Sequence, residues 1–239
     1  AIAARAGDAD PRVRTLVAQL LGARREPVAA ATLWGLLDDP DASVLVAALE
    51  GLRRLGSPRP GARLDRIRAL EAHEHPDVVA GAIRVRGDLG DRDAIPELAQ
   101  RLRRVRIDIP SAPRAAALDA LVALGHGNEV RRAVELVAKN VVPPSQLNPE
   151  PIPDHIDVRR AALRYLERFG DAATAERMLT SFDEIPIAEL RPDIARAVTK
   201  LTGRRYRALP DHQYLEYSVE SLDAPSHPPW PQSPGVAPE

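Results

Sequence analysis

Between Asp157 and Gly170, Val158, Ala161, Ala162, Tyr165, Leu166 and Phe169 recur at three- and four-residue steps, and arginines and Glu167 fill the positions between them. That spacing places the apolar side chains on one stripe of an amphipathic helix. Asp157 stands where an N-cap is expected, and Gly170 where a left-handed residue closes a helix. Weaker copies of the same pattern recur along the chain, so the sequence reads as an array of helical repeats.

Taken in order, Asp10-Pro11 opens a helix reaching about Leu21, with proline at the tolerated first turn. Pro27 begins the next, through Trp34 and Leu37 to Asp38. Asp39-Pro40 restarts the pattern, with Leu45, Ala48, Leu49, Leu52 and Leu55 on one face and Gly56 as the stop. The two Asp-Pro steps are 29 residues apart, and Leu16-Val17-Ala18 matches Leu45-Val46-Ala47 at that offset. Further helices are expected at about Pro60 to Ala72, from His75-Pro76 to Leu89-Gly90, from Asp93 to Val105, and from Ala112 to Leu124-Gly125. Gly56, Gly90 and Gly125 are spaced by 34 and 35 residues. A shift of 45 carries Ala116-Ala117-Leu118 onto Ala161-Ala162-Leu163, so about ten extra residues precede the latter. They fall in the proline-rich stretch from Val141 to Ile156, which cannot be helical. A further shift of 36 reaches Asp193-Ile194, and the last unit closes at Gly203.

The second helix of each unit begins Asp-Pro-x-Val-Arg or a variant and runs through paired alanines to Leu-Gly. Residues Asp10-Pro11-Arg12-Val13-Arg14, Asp39-Pro40, His75-Pro76-Asp77-Val78, Asp157-Val158-Arg159 and Asp193-Ile194 carry this pattern, over roughly residues 8–203. It resembles the short bacterial HEAT-like repeats, including those of the phycobilisome-lyase type. The Trp and Tyr signature of tetratricopeptide repeats and the Thr-Pro-Leu-His of ankyrin repeats are absent. The resemblance implies an all-α, right-handed α-α superhelix of five to six helix pairs. Such units cannot bury both faces alone, so neighbours must stack. The alanine pairs Ala47-Ala48, Ala116-Ala117 and Ala161-Ala162 are expected where consecutive units meet closely.

Two regions follow: a solenoid over 1–203 and a segment over 204–239 that loses the repeat. The latter gathers Tyr206, Tyr214, Tyr217 and Trp230 and turns proline-rich from Pro225. It reads as a cap on the last apolar face with an extended tail, or as a docking strand for another subunit. The chain begins inside a repeat and without methionine, so it is expected to be a fragment or to have lost a leader. A cytoplasmic location is expected, and an exported one if a leader was removed.

Composition narrows the chemistry. Aromatic residues make up 3% of the chain and there is no cysteine, which excludes disulfides, thiolate metal sites and cysteine nucleophiles. Lys139 and Lys200 are the only lysines among 33 basic residues, and 34 acidic residues bring the formal charge to −1. No global field therefore recruits nucleic acid. Arg101, Arg103, Arg104 and Arg106 form one basic cluster, and Arg204, Arg205 and Arg207 another. HEAT-like nucleic-acid binding through these clusters is the alternative function, although cations at a helix end also complement its dipole. A lone His73-Glu74 falls short of a di-iron ligand set, and His126, His155 and His212 have no partner motif. No residue set demands a tetrapyrrole. We therefore expect no catalytic residue, metal or cofactor, and no apolar run long enough to span a membrane.

The expected role is a non-catalytic interaction or scaffold module with one or more protein partners, a subunit or domain of a larger bacterial assembly. The candidate partner-binding residues lie in three proline-punctuated links: Ile107, Ile109 and Pro110; Ile152, Pro153 and Asp154; Ile185 and Pro186. Equivalent loops of a solenoid line up along one edge, so these links would form a ridge that either rigidifies the edge or docks a partner.

Overall fold

A computed structural model describes residues 2–24, 29–56, 64–103, 110–138, 155–182, 188–208 and 219–221. Eleven α-helices occur among them: α1 (Pro11–Arg24), α2 (Ala29–Gly35), α3 (Ala42–Leu55), α4 (Leu64–Leu70), α5 (Pro76–Asp88), α6 (Ile95–Arg103), α7 (Ala112–Ala123), α8 (Val130–Ala138), α9 (Ile156–Phe169), α10 (Ala172–Phe182) and α11 (Arg191–Thr202). The odd-numbered helices stack in order, α1 on α3, α3 on α5, and so on to α11. Each even-numbered helix packs against the odd-numbered helix that follows it. The result is a two-layer α-α solenoid of five helix pairs preceded by α1. One small β element accompanies the helices: β1 (Tyr206–Ala208) pairs antiparallel with β2 (Val219–Ser221) and lies on α11.

Local chemistry sets the ends of the odd helices. The Asp10 carboxylate accepts the Arg12 N–H at 2.8 Å, and Asp41 accepts from Ser43 and Val44 at 2.8 and 3.4 Å. These bonds satisfy amide donors that have no partner within the helix. His75 and His155 cap α5 and α9 through Nδ1, each accepting the N–H two residues on at 3.3 Å. Asp157 is therefore not the N-cap of α9. It sits in the first turn, where its charge favours the helix dipole. Gly56, Gly90, Gly125 and Gly203 close their helices at positive φ, as expected. Gly170 does not: its φ is −76° and ψ 172°. Glycine is required there for space instead, because a Cβ would lie 2.7 Å from the Leu166 carbonyl oxygen.

The register between the first two units also differs from the sequence match. Asp39 does not cap α3. Its carboxylate accepts two bonds from Arg14, at 2.6 and 2.8 Å, and α3 starts two residues later behind Asp41. Helices α1 and α3, both 14 residues long, are therefore offset by 31 residues, not 29. Leu16 thus corresponds to Ala47, not to Leu45. The close approaches agree. An added Cβ at Gly22 would meet the Gly51 Cα at 2.5 Å, one at Gly81 would meet Leu49 at 2.9 Å, and one at Gly87 would meet the Ala120 Cα at 2.6 Å. Each of these pairs is two residues short of its register, taken as 31, 34 and 35 for successive odd helices. The expected alanine pairs are all buried, but the tightest contacts use glycine.

Arginines join successive helical segments. Arg66, Arg132 and Arg159 donate to the carbonyls of Leu37, Leu102 and Val137, each at the C-terminal end of an earlier helical segment. A cation at that end satisfies orphan carbonyls and complements the dipole. Between α4, α5 and α6, Arg86 is enclosed with Glu71 and Asp91, and Arg68 completes the group. Burial pushes the Asp91 carboxyl up, but hydrogen bonds from Arg68 and Arg86 outweigh it and hold the group below the usual carboxylate range.

Candidate protein-binding site

Of the candidate partner-binding residues, Pro110 is described and exposed, just ahead of α7. Ile107, Ile109, Ile152, Pro153, Asp154, Ile185 and Pro186 lie outside the described residues. The same holds for Arg104, Arg106, Tyr214, Tyr217, Trp230 and His212.

A different surface emerges on the side of the odd-helix layer turned away from the even helices. Among the described residues, Leu16 (54% exposed) and Leu20 (39%) are the exposed large hydrophobic side chains. Both are on α1. They border an open groove of about 710 Å³ that also runs past Gln19, Val46, Glu50 and Asp77 on α1, α3 and α5. The register explains why these leucines are exposed. The position of Leu20 is held by Gly51 in α3, Val85 in α5, Ala120 in α7 and Tyr165 in α9, and in each case the residue is buried. Those positions face the preceding unit. Gly51 lies against the Ala18 carbonyl, Ala120 against Gly87, and the Tyr165 hydroxyl donates to the His126 carbonyl at 2.7 Å while accepting the Glu129 N–H at 3.0 Å. Burial raises the Tyr165 pKa and keeps the hydroxyl protonated.

Further along the same layer several charges are matched across the helix junctions. Arg53 pairs with Asp88 at 3.0 Å, and Asp119 sits between Arg84 at 2.9 Å and Arg164 at 2.7 Å. Arg160 reaches Asp193, and Arg196 reaches Glu167. On α1, by contrast, Arg12 and Arg24 are exposed and have no carboxylate partner among the described residues. Arg12, Leu16, Leu20 and Arg24 follow each other at four-residue steps and so form one ridge along the helix.

In the first of the proposed nucleic-acid clusters, Arg101 and Arg103 meet carboxylates. Arg101 bonds Glu97 at 2.6 Å and Glu71 at 3.1 Å, and Arg103 lies 3.8 Å from Glu129. Arg204, Arg205 and Arg207 are exposed near β1. His73 accepts the His75 N–H through Nδ1 at 2.9 Å. Among the described residues no three His, Asp or Glu side chains gather in a way that could hold a metal ion, and no helix is long and apolar enough to cross a membrane.

Stacked helix pairs, glycine-tight junctions and a two-layer core define a helical repeat solenoid. Residues 1–69 match the family model for HEAT repeats. A crystal structure of an engineered protein is similar in fold, with a TM-score of 0.50 and 16% identity, over 84% of this chain and 97% of that one. A second engineered protein gives 0.46 at 14% identity, over 84% and 94%. The complex of CpcE and CpcF of phycocyanin lyase from Nostoc sp. PCC7120 gives 0.39 at 22% identity, over 84% and 64%. The first likeness concerns the fold alone, and the other two are too distant to support an argument. No curated protein matches the sequence.

Proposed function

We propose that this chain is a non-catalytic protein-binding scaffold, and that its docking surface is the groove and ridge of α1. One observation carries this reading: Leu16 and Leu20 are exposed on α1, whereas at the position of Leu20 the later helices α3, α5, α7 and α9 each bury their residue, Gly51, Val85, Ala120 and Tyr165. Apolar side chains set in a groove with a polar rim are what protein interfaces use. Nucleic acid fits the surface less well. It needs a row of free cations to displace counterions, and Arg53, Arg84, Arg160, Arg164 and Arg196 of the odd-helix layer are matched to carboxylates.

The test is native purification of the whole chain beside a Leu16→Asp/Leu20→Asp variant, with bound proteins identified by mass spectrometry and quantified. The reading expects a partner at near-stoichiometric yield that is lost from the variant while its circular dichroism stays unchanged. Equal recovery from both would remove the α1 surface as the docking site. A protein that instead retains duplex DNA at moderate salt would belong to the nucleic-acid class.

A further inference from the structure

We propose that the ion cluster between α4, α5 and α6 is a proton-operated clasp: it holds the joint between two parts of the array while Glu71 is ionised, and releases that joint when Glu71 takes up a proton.

The joint is visible in the core. The buried apolar side chains form two clusters that divide along α5, where Val78, Ala82, Val85 and Leu89 belong with α1 to α4, and Val79, Ala80 and Ile83 belong with α6 to α11. The even layer divides at the same place. Ile67 and Leu70 of α4 lie in the first cluster, and Leu98 and Leu102 of α6 in the second. Charges span the gap instead. Arg68 of α4 donates to the two Asp91 carboxylate oxygens at 3.2 and 2.9 Å. Arg86 of α5 donates to Asp91 at 2.7 Å and to Glu71, just past the end of α4. Arg101 of α6 closes the chain by donating to Glu71 at 3.1 Å and to Glu97 at 2.6 Å, and Glu97 also lies 3.4 Å from Arg86. Arg68, Arg86 and Arg101 therefore balance Glu71, Asp91 and Glu97 only while each carboxylate is ionised.

Glu71 is the member a proton reaches first. Its side chain is 8% exposed. Burial, helped by the nearby Glu97 charge, lifts its pKa above the usual carboxylate range despite the bonds from Arg86 and Arg101. Burial also pushes on Asp91 and Glu97, but their arginine bonds outweigh it and hold both below that range. Once protonated, Glu71 offers no anion to Arg86 or Arg101, and the cluster carries an excess positive charge. A buried charge without its counter-ion is costly, so the joint opens to hydrate it. The other ionisable groups around the cluster are outside this exchange. Asp65 and Asp93 reach Arg68 from the exposed side at 3.6 and 4.0 Å. His73 and His75, in the link to α5, accept backbone N–H groups through Nδ1. A folded-state pKa above the unfolded value gives stability that is fully present below the unfolded value and lost as pH rises through the folded one. Acid therefore opens the clasp without unfolding the array.

The experiment is hydrogen exchange of the whole chain read by mass spectrometry and corrected for the intrinsic effect of pH. It compares about pH 7.5 with about pH 5.5, where a glutamate near its ordinary value of about 4.3 stays ionised. Peptides covering α4 and α6 should exchange roughly fivefold faster or more at the lower pH, while those covering α7 keep their rates. Glu71→Gln should show the fast rates at both pH values, with a urea midpoint at pH 7.5 no lower than that of the wild type. His73→Asn/His75→Asn keeps the hydrogen-bond acceptors and removes the imidazole titration, and should respond to pH as the wild type does. Exchange at α4 and α6 that ignores pH overturns the proposal. So does a pH response that survives in Glu71→Gln or disappears in the histidine variant. A lowered urea midpoint in Glu71→Gln overturns it too, because Glu71 then acts as a fixed ion-pair partner and not as a switch.

Discussion

The closeness of the stacked helices can be tested at Gly87, where α5 meets α7. An added Cβ there would stand 2.6 Å from the Ala120 Cα, 2.8 Å from its Cβ and 3.1 Å from its carbonyl oxygen. Carbon atoms in comfortable contact are about 3.5–4.0 Å apart, so Gly87→Ala requires the two helices to separate by roughly 1 Å. Backbone atoms cannot rotate aside as a side-chain end can, and overpacking of this kind costs about 1–3 kcal/mol. Alanine in a helix interior recovers about 0.8–1 kcal/mol relative to glycine. Gly35 supplies the control. It has helical torsions, φ −65° and ψ −36°, and a Cβ there would meet nothing within 4 Å. Gly35→Ala should therefore keep the propensity gain without the clash, and the two variants should differ by about 1–3 kcal/mol, with Gly87→Ala the less stable. Urea unfolding followed by far-UV circular dichroism reads the difference as a shift in midpoint. If Gly87→Ala raised the midpoint as far as Gly35→Ala, the tight α5–α7 junction would be disproved.

Other consequences are open to similar measurement. Tyr165→Phe removes a hydroxyl that both donates to His126 and accepts from Glu129; it should cost about 1–3 kcal/mol and speed hydrogen exchange at the Glu129 amide. Ala161→Leu should destabilise by about 1–3 kcal/mol, because Ala161 is fully enclosed, and unchanged stability would mean slack at that junction. The Asp39 carboxyl is held below its ordinary range, chiefly by the hydrogen bond from Arg14. A depressed carboxyl pKa contributes stability above the unfolded value, near 4, and loses it as pH falls through the folded value. Asp39→Asn should therefore flatten the acid limb of a pH–stability curve, and an unaltered limb would refute the pairing. Asp119→Ala should cost up to about 1 kcal/mol, less in high salt, since it strands Arg84 and Arg164 together on a partly exposed surface.

The odd helices were legible because most carry their own punctuation at one end or both. Proline in the first turn and glycine after the last fix both ends from local chemistry alone, as at Pro76 and Gly90. Helices α8 and α10 lack such marks and follow from the two-helix unit without clear boundaries of their own. The register of the first two units was misread by two residues because Asp39-Pro40 copies Asp10-Pro11 in sequence, while Asp39 is engaged by Arg14 from another helix and leaves capping to Asp41. No local pattern reports a partner 25 residues away. The caps at His75 and His155 were missed for a related reason: imidazole can accept an amide proton, but its residue type does not mark helix starts as aspartate does. The site follows the same division. The ridge Arg12, Leu16, Leu20, Arg24 is visible at its four-residue spacing, yet that spacing alone does not separate a buried stripe from an exposed one.

That ambiguity is resolved by stacking order, which is a property of the array and not of any single helix. In a solenoid each unit has one side that covers its successor and one that is covered by its predecessor. Glycine and alanine dominate the covered side from α3 to α7 because the neighbouring backbone comes so near that a leucine would have to displace it. Leucine at both of these positions in α1 therefore fits a different neighbour, one set farther away or one that is itself small where the leucines fall.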